Sequence, residues 1–274
     1  MSFIKIIRPF NCLFVAVSVL FGAYFSSMQS NLSAIIAAAI SAALIAAGGY
    51  VINDFFDLRI DVINKPNRIL PAGKMTPKTA YIYAVFLFWI GILVSILTQN
   101  IYCIGIALLN SLVLFQYAKK LKQSCLTGNI LVAYAAASTF IFGGLSNNNV
   151  KNSLVIASFA FCYTLIREFI KDSEDIDGDK VNGAKTLAVI VGEKKITIIS
   201  IIPAIIIIGL IQYYFFNQQL MQTTFIMLNV FVTIPLIGFF VYLFRKPVKS
   251  SFAKISSLTK LNMFMLLIII WIGK

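Results

Sequence analysis

Long uncharged runs dominate this 274-residue sequence and restrict what it can fold into. Residues 9–53, 79–118 and 196–244 contain no charged side chain, and each run is long enough for two membrane-spanning helices of about 20 residues. Single spans fit around residues 123–150, 153–169 and 256–271. Charged residues make up only 12% of the chain, about half the share found in water-soluble domains. We therefore predict an all-α, polytopic membrane protein in which one domain, residues 1–274, forms a nine-transmembrane-helix bundle.

The basic residues predict how this bundle is oriented. With nine spans and an internal N-terminus, 21 of the 23 Lys and Arg residues fall on one side, as the positive-inside rule requires. Only Lys151 and Lys274 fall on the other side. We therefore expect an N-in, C-out, multi-pass protein of the cell membrane, in contact with the lipid bilayer. Because the positive charge is spread over several loops and not gathered in a soluble domain, we expect no nucleic acid partner.

The residues that could carry chemistry are few. The sequence contains no histidine, which excludes histidine-based triads and histidine zinc sites. Its four cysteines are scattered and are expected to be packing residues.

All ten acidic residues lie in or beside two clusters that are 118 residues apart. The first cluster is Asn53-Asp54-x-x-Asp57-x-x-x-Asp61, and the second is Asp172-x-Glu174-Asp175-x-Asp177-Gly178-Asp179, with Glu168 and Glu193 on either side. Three acids in each cluster share the spacing i, i+3, i+7, which places them on one face of a helix. The match suggests an internal pseudo-repeat whose two faces line one cavity, with Gly178 as the expected point of unwinding.

Like charges on one helix face at a membrane boundary are unfavourable unless a cation or a basic partner neutralises them. Oxygen ligands without His or Cys suit Mg2+, which is commonly held by a few carboxylates together with substrate phosphates. Arg68, in a segment shaped by Pro66, Pro71 and Gly73, is the residue there best suited to bind phosphate, because its guanidinium is bidentate. An ion transporter and a non-catalytic scaffold are alternatives to an enzyme.

Four motifs resemble the UbiA superfamily of intramembrane prenyltransferases. They are Asn53-Asp-x-x-Asp57-x-x-x-Asp61, Asn64-x-Pro-x-Arg68-x-Leu-Pro71-x-Gly73, Lys171-Asp-x-x-Asp175-x-x-Gly178-Asp179 and Gly183-x-Lys185-Thr186-Leu187. The segment Ile7-Arg8-Pro9-Phe10-Asn11-Cys12 and the second acidic cluster are most similar to the archaeal digeranylgeranylglyceryl phosphate synthases within that superfamily.

This resemblance implies a Mg2+-dependent geranylgeranyltransferase of ether lipid synthesis. The donor would be geranylgeranyl diphosphate, the acceptor would be the glycerol hydroxyl of geranylgeranylglyceryl phosphate, and the product would contain the second ether bond. The catalytic loops, residues 54–78 and 171–195, would lie on the cytoplasmic side. An aromatic acceptor, such as 4-hydroxybenzoate or dihydroxynaphthoate in quinone synthesis, and haem farnesylation are the alternatives within the superfamily.

The resemblance also implies roles for individual residues. The catalytic carboxylates would be Asp54, Asp57, Asp61, Asp172, Asp175 and Asp179, which with Asn53 would bind the metal. The diphosphate would be bound by Arg68, Lys119, Lys122, Arg167 and Lys171, and the acceptor phosphate by Arg8 and Asn11. Without histidine, the hydroxyl proton would pass to a carboxylate, to the departing diphosphate or to water.

Overall fold

The computed structural model describes residues 2–26, 31–181 and 183–273, and every regular element within them is a helix. Nine helical spans in this part of the chain are long and apolar enough to cross a bilayer. The predicted nine-span, all-α architecture of a multi-pass membrane protein is therefore confirmed. Lys274, which the charge argument placed apart from most basic residues, lies outside the described residues.

Fourteen α-helices follow one another along the described residues. They are α1 (Ser2–Ile6), α2 (Pro9–Ser26), α3 (Leu32–Phe56), α4 (Leu58–Asn64), α5 (Pro77–Ile96), α6 (Ile101–Lys119), α7 (Thr127–Ser146), α8 (Lys151–Glu174), α9 (Ile176–Val181), α10 (Leu187–Val191), α11 (Glu193–Phe216), α12 (Gln222–Leu228), α13 (Ile234–Arg245) and α14 (Lys249–Ile272). A 3-10 turn, Leu121–Gln123, precedes α7. A π-helical segment, Asn229–Thr233, connects α12 and α13 into one span.

The chain forms two compact units. The first contains Met1–Lys122 and Tyr134–Ala157, and the second contains Gln123–Ala133 and Ser158–Lys274. In the first unit α3 packs against α2, α5 and α6. It is the most buried of the four helices: 61% of its apolar window is buried, against 33% for α2 and α5. The acidic residues at the C-terminal end of α3 therefore lie on a helix that is packed on several sides.

Small residues allow the helices of the first unit to approach closely, as is usual in membrane proteins. A Cβ atom added to Gly91 of α5 would lie 2.7 Å from a side-chain carbon of Ile45 in α3, and the Ser41 hydroxyl donates to the Gly91 carbonyl at 2.7 Å. Between α2 and α7, a Cβ atom on Gly143 would lie 1.9 Å from the Val19 carbonyl oxygen. These contacts leave no room for larger side chains.

A buried polar network supports the π-helical segment of the second unit. There α14 packs against α12, α13 and the π-helical segment. The Tyr163 hydroxyl donates to Asn262 Oδ1 at 2.7 Å, and Asn262 Nδ2 donates to the Phe231 carbonyl at 2.8 Å. Phe231 lies within the π-helical segment, whose irregular turn changes the usual pairing of its carbonyls. Asn262 therefore supplies a hydrogen bond where the helix geometry changes.

Both acidic clusters contain a helix break at the same position. Asp57 separates α3 from α4, and Asp175 separates α8 from α9. Backbone hydrogen bonds continue across each break: the Asp61 N–H donates to the Asp57 carbonyl at 2.8 Å, and the Asp179 N–H donates to the Asp175 carbonyl at 3.0 Å. The prediction that the second helix unwinds at Gly178 was wrong, because Gly178 lies inside α9. The predicted loops after α3 and α8 thus begin within helices.

Candidate active site

The three aspartates of the first cluster are buried. Asp54 lies in the last turn of α3, Asp57 at the break, and Asp61 in α4, with exposed fractions of 6%, 9% and 4%. Removing an ionised carboxylate from water costs several kcal/mol unless it gains a charged or hydrogen-bonding partner. Such partners are therefore expected beside all three.

Each of these carboxylates has a cationic partner. Arg8 Nη2 lies 2.5 Å from Asp54 Oδ1, and Lys122 Nζ lies 2.5 Å from Asp57 Oδ2. Arg68 Nη1 bridges two carboxylates, at 2.5 Å from Asp61 and 3.3 Å from Asp54. The cationic side chains remain between 26% and 41% exposed, whereas the carboxylates are nearly covered. An anion could therefore reach the cations from solvent.

Arg8 is held from two sides. It lies between α1 and α2 with φ at 53°, a left-handed conformation that costs a non-glycine residue about 1–3 kcal/mol. Its guanidinium lies 5.1 Å above the Tyr50 ring, a cation–π distance, while Asp54 accepts from Nη2. An arginine carries five N–H donors in a planar fork, so this one described carboxylate contact leaves donors that could bind an anion.

The segment after α4 positions Arg68. The Ala72 N–H donates to the Arg68 carbonyl at 2.9 Å, and the Lys74 N–H donates to the Ile69 carbonyl at 3.0 Å. Gly73 adopts a φ of +67°, which glycine tolerates without strain. Leu70, which is 5% exposed, anchors this turn in the core of the first unit. The proline and glycine pattern thus predicted an ordered turn correctly.

The second cluster is bound differently. Asp172 accepts from Asn129 Nδ2 at 2.8 Å, and Asp179 accepts from the Thr186 hydroxyl at 3.1 Å. Asp175 and Asp177 are exposed. Among the described residues, no Lys or Arg forms an ion pair with Asp172, Asp175 or Asp177. The two donors described here, Asn129 and Thr186, are neutral.

The structure pairs some of the predicted phosphate-binding cations with carboxylates and leaves others exposed. Arg167 Nη1 contacts Glu168 at 2.5 Å, and its buried Nε has no hydrogen-bond partner among the described residues. An unpaired guanidinium nitrogen is costly, and an anion would satisfy it. Lys119 and Lys171 are exposed.

The donor set of the first cluster fits Mg2+ that arrives with a phosphorylated substrate. No group of three or more His, Cys, Asp or Glu side chains within the described ranges is gathered closely enough to hold a metal ion. Asp54 and Asp61, however, approach the same nitrogen of Arg68. Mg2+ usually takes one or two carboxylates and completes its octahedral shell with water and phosphate oxygens. Two protein carboxylates are therefore enough.

Three polar residues of the site were not predicted from the sequence. Tyr50 lies one helical turn before Asp54, a spacing that could have indicated it. Thr186 lies in a motif whose individual residues received no role. Asn129 reaches Asp172 from 43 residues away, and no local signal indicates it.

Comparisons with known proteins agree with this fold. Residues 15–268 match the UbiA prenyltransferase family. The digeranylgeranylglyceryl phosphate synthase of Sulfurisphaera tokodaii is 41% identical over 78% of this chain and 79% of its own length, and that of Methanothrix thermoacetophila is 38% identical over 71% and 73%. A solved digeranylgeranylglyceryl phosphate synthase structure superposes with a TM-score of 0.89 at 29% identity, covering 99% of this chain and 97% of its own.

A more distant structure has the same fold. It is a UbiA homologue from Archaeoglobus fulgidus bound to DMAPP and Mg2+, with a TM-score of 0.70 at 14% identity, covering 97% of this chain and 99% of its own. Fold and relatives together define an intramembrane prenyltransferase. The chain belongs to the UbiA prenyltransferase family.

Proposed function

We propose that this protein transfers a geranylgeranyl group from geranylgeranyl diphosphate to the glycerol hydroxyl of geranylgeranylglyceryl phosphate, forming the second ether bond of an archaeal membrane lipid. The observation that carries the proposal is the pairing of three buried carboxylates with three partly exposed cations in the first cluster. The names of relatives at about 40% identity support the choice of donor and acceptor.

Alternating charges of this kind suit a metal and a diphosphate together. Asp54, Asp57 and Asp61, with Asn53, would hold Mg2+ in the first cluster, and Asp172, Asp175 and Asp179 would hold it in the second. When bound, Mg2+ would neutralise the negative charge that develops on the departing diphosphate. Arg68, Lys122 and Arg167 would bind diphosphate oxygens through charge-assisted hydrogen bonds, with Lys119 and Lys171 assisting from exposed positions.

The reaction then needs little covalent participation by the protein. The bond between C1 of the prenyl chain and the diphosphate oxygen breaks, and the diphosphate leaves with the electron pair. The glycerol oxygen forms the new C1–O bond and loses its proton to a carboxylate, to the diphosphate or to water. Arg8 and Asn11 would hold the acceptor phosphate, so the protein contributes mainly position and electrostatic stabilisation.

The location follows from the same proposal. We place the protein in the cell membrane with both acidic clusters on the cytoplasmic side, because the loops that carry them belong to the side on which 21 of the 23 basic residues are predicted to lie.

Product identification tests the proposed function. Purified protein is incubated with Mg2+, geranylgeranyl diphosphate and either geranylgeranylglyceryl phosphate or 4-hydroxybenzoate, and the products are identified by mass spectrometry. We expect alkylation of the glycerol acceptor only. Turnover of the aromatic acid instead would replace the proposed acceptor, while the family assignment would stand.

The role of the metal and the acidic clusters is tested in the same assay. EDTA and the variants Asp54→Ala and Asp175→Ala should each abolish diphosphate release. Full activity in EDTA would contradict the metal-dependent mechanism.

A further inference from the structure

The C-terminal part of the chain carries positive charge without negative charge. Glu193 is the last acidic residue of the sequence, and every charged residue after it is Lys or Arg. Five exposed cations lie at the connection between α13 and α14 or on the first half of α14: Arg245, Lys246, Lys249, Lys254 and Lys260. None of them forms an ion pair with a carboxylate of the described residues. Their charge is therefore available to an anion from outside the protein.

Helix α14 has one exposed face and one buried face. At 3.6 residues per turn, Lys249, Lys254 and Lys260 lie within an arc of about 140° around the helix axis. The opposite side of the helix is buried and includes Phe252, Ile255, Thr259 and Leu266. The three lysines therefore lie on the side of α14 that faces away from its packed neighbours.

The exposed face of α14 changes from cationic to apolar along the helix. Beyond Lys260 it continues with side chains that are between 53% and 63% exposed: Leu261, Phe264, Trp271 and Ile272. Residues 261–272 rise only about 18 Å, whereas the hydrocarbon core of a bilayer is about 30 Å thick. Part of the half that bears the lysines must therefore lie at membrane depth, where a lysine extends its side chain toward the lipid headgroups.

The end of α13 adds cations beside this face. Lys254 Nζ lies 5.5 Å from the centroid of the Tyr242 ring. Arg245 follows Tyr242 by three residues and therefore lies on the same side of α13. The Lys246 N–H donates to the Tyr242 carbonyl at 2.9 Å, which ends the helix there. Cations from two helices thus gather around one tyrosine, a residue that is enriched at the membrane–water interface.

We propose that the exposed face of α14, together with the end of α13, binds an anionic membrane lipid. Its headgroup phosphate lies beside Lys254 and Lys260, and a hydrocarbon chain lies along Leu261 and Phe264. Clusters of several Lys and Arg at the end of a membrane helix are typical of binding sites for anionic lipids. A soluble anion would use only the cationic half of this face, whereas a lipid matches both halves. The inference does not depend on the substrates of the proposed function.

Native mass spectrometry of the full-length protein in detergent tests this proposal. The protein is titrated with phosphatidylglycerol, which is anionic, or with phosphatidylcholine, which is zwitterionic, and Kd is measured for the first bound lipid. The α14 variant combines Lys249→Gln, Lys254→Gln and Lys260→Gln. The matched control carries the same substitution at three exposed lysines of other elements: Lys78, Lys194 and Lys195.

We expect the wild-type protein to bind phosphatidylglycerol more tightly than phosphatidylcholine. The α14 variant should raise Kd for phosphatidylglycerol at least about tenfold, because each lysine near an anionic headgroup strengthens binding by about fivefold. The control variant should keep the wild-type Kd, although it loses the same amount of charge.

Three outcomes would overturn the proposal. Equal Kd values for the two lipids in the wild-type protein would show that only apolar contacts hold the lipid. Equal weakening in the two triple variants would show that the overall charge of the protein attracts the lipid. An unchanged Kd in the α14 variant would place the bound lipid elsewhere.

Photolabelling of the wild-type protein locates the lipid without depending on the folding of a variant. The probe is phosphatidylglycerol with a diazirine in one acyl chain. We expect labelling of α13 or α14 that unlabelled phosphatidylglycerol prevents and inorganic pyrophosphate does not. Labelling confined to other helices would contradict the proposed site, and loss of labelling with pyrophosphate would assign these cations to a soluble polyanion.

Discussion

At the scale of single residues, the first cluster is balanced because each buried aspartate has a cation within 2.5 Å. Arg68 matters most in this balance, since it touches two carboxylates, Asp54 and Asp61. Its removal would leave two buried like charges with only one cation, Arg8, between them. The same side chain is proposed to bind diphosphate, so its loss should affect both folding and catalysis.

We predict that Arg68→Ala lowers the free energy of unfolding by about 1–3 kcal/mol, the cost of losing hydrogen bonds to charged groups. It should also lower kcat/KM for geranylgeranyl diphosphate by at least about tenfold. Thermal unfolding in detergent and steady-state kinetics measure the two effects. Arg68→Lys should recover part of each, because lysine keeps the charge but not the planar fork. The control is Arg59→Ala, an exposed arginine of α4; equal effects of the two alanine variants would contradict the assignment.

Two substitutions of Tyr50 separate the contribution of its aromatic ring to holding Arg8 from the contribution of its hydroxyl. Tyr50→Phe keeps the ring below the Arg8 guanidinium, whereas Tyr50→Leu removes a cation–π contact of about 0.5–2 kcal/mol. We therefore predict that Tyr50→Leu raises KM for the phosphorylated acceptor by roughly 2–30-fold and that Tyr50→Phe changes it little. Similar KM values for the two variants would show that the ring does not hold Arg8 in place.

At the scale of elements, the sequence predicted the helices better than the contacts between them. Uncharged runs such as residues 9–53 indicate α2 and α3 because bilayer thickness imposes a length on each span. The spacing of Asp54, Asp57 and Asp61 predicted that the three side chains share one helix face. It could not predict that the helix breaks at Asp57, because the break depends on local backbone geometry. The pairing of Arg8 with Asp54 spans 46 residues and depends on tertiary packing that no local pattern encodes.

Helix packing by small residues can be tested with one glycine and its control. Gly143→Ala would place a Cβ atom within 1.9 Å of the Val19 carbonyl oxygen, so α2 and α7 would have to separate. We predict a loss of about 1–3 kcal/mol in stability, the usual cost of overpacking, seen as a lower melting temperature in detergent. Gly105→Ala in α6 meets nothing within 4 Å and should be neutral or slightly stabilising, because alanine favours helix. A melting temperature for Gly143→Ala equal to that of Gly105→Ala would show that the helices are not in tight contact.

At the scale of the whole molecule, the distribution of basic residues predicts the orientation of the protein in the membrane. The 21 of 23 basic residues that are predicted to lie on one side belong to short loops. Short loops are where the positive-inside rule applies. The proposed cytoplasmic location of the reaction depends on this orientation, because both acidic clusters are predicted to lie on the same side of the membrane as these basic residues. Lys65, after α4, and Lys151, at the start of α8, are both exposed and are predicted to face opposite compartments.

Cysteine labelling from one side of the membrane measures this orientation directly. The four native cysteines are free and three are buried, so a variant with all four replaced by serine or alanine is the background. In intact cells a membrane-impermeant maleimide should label Lys151→Cys, which faces outward. It should label Lys65→Cys only after permeabilisation, because that residue is predicted to be cytoplasmic. Labelling of Lys65→Cys in intact cells, with Lys151→Cys protected, would reverse the topology and would place the proposed reaction on the outer side.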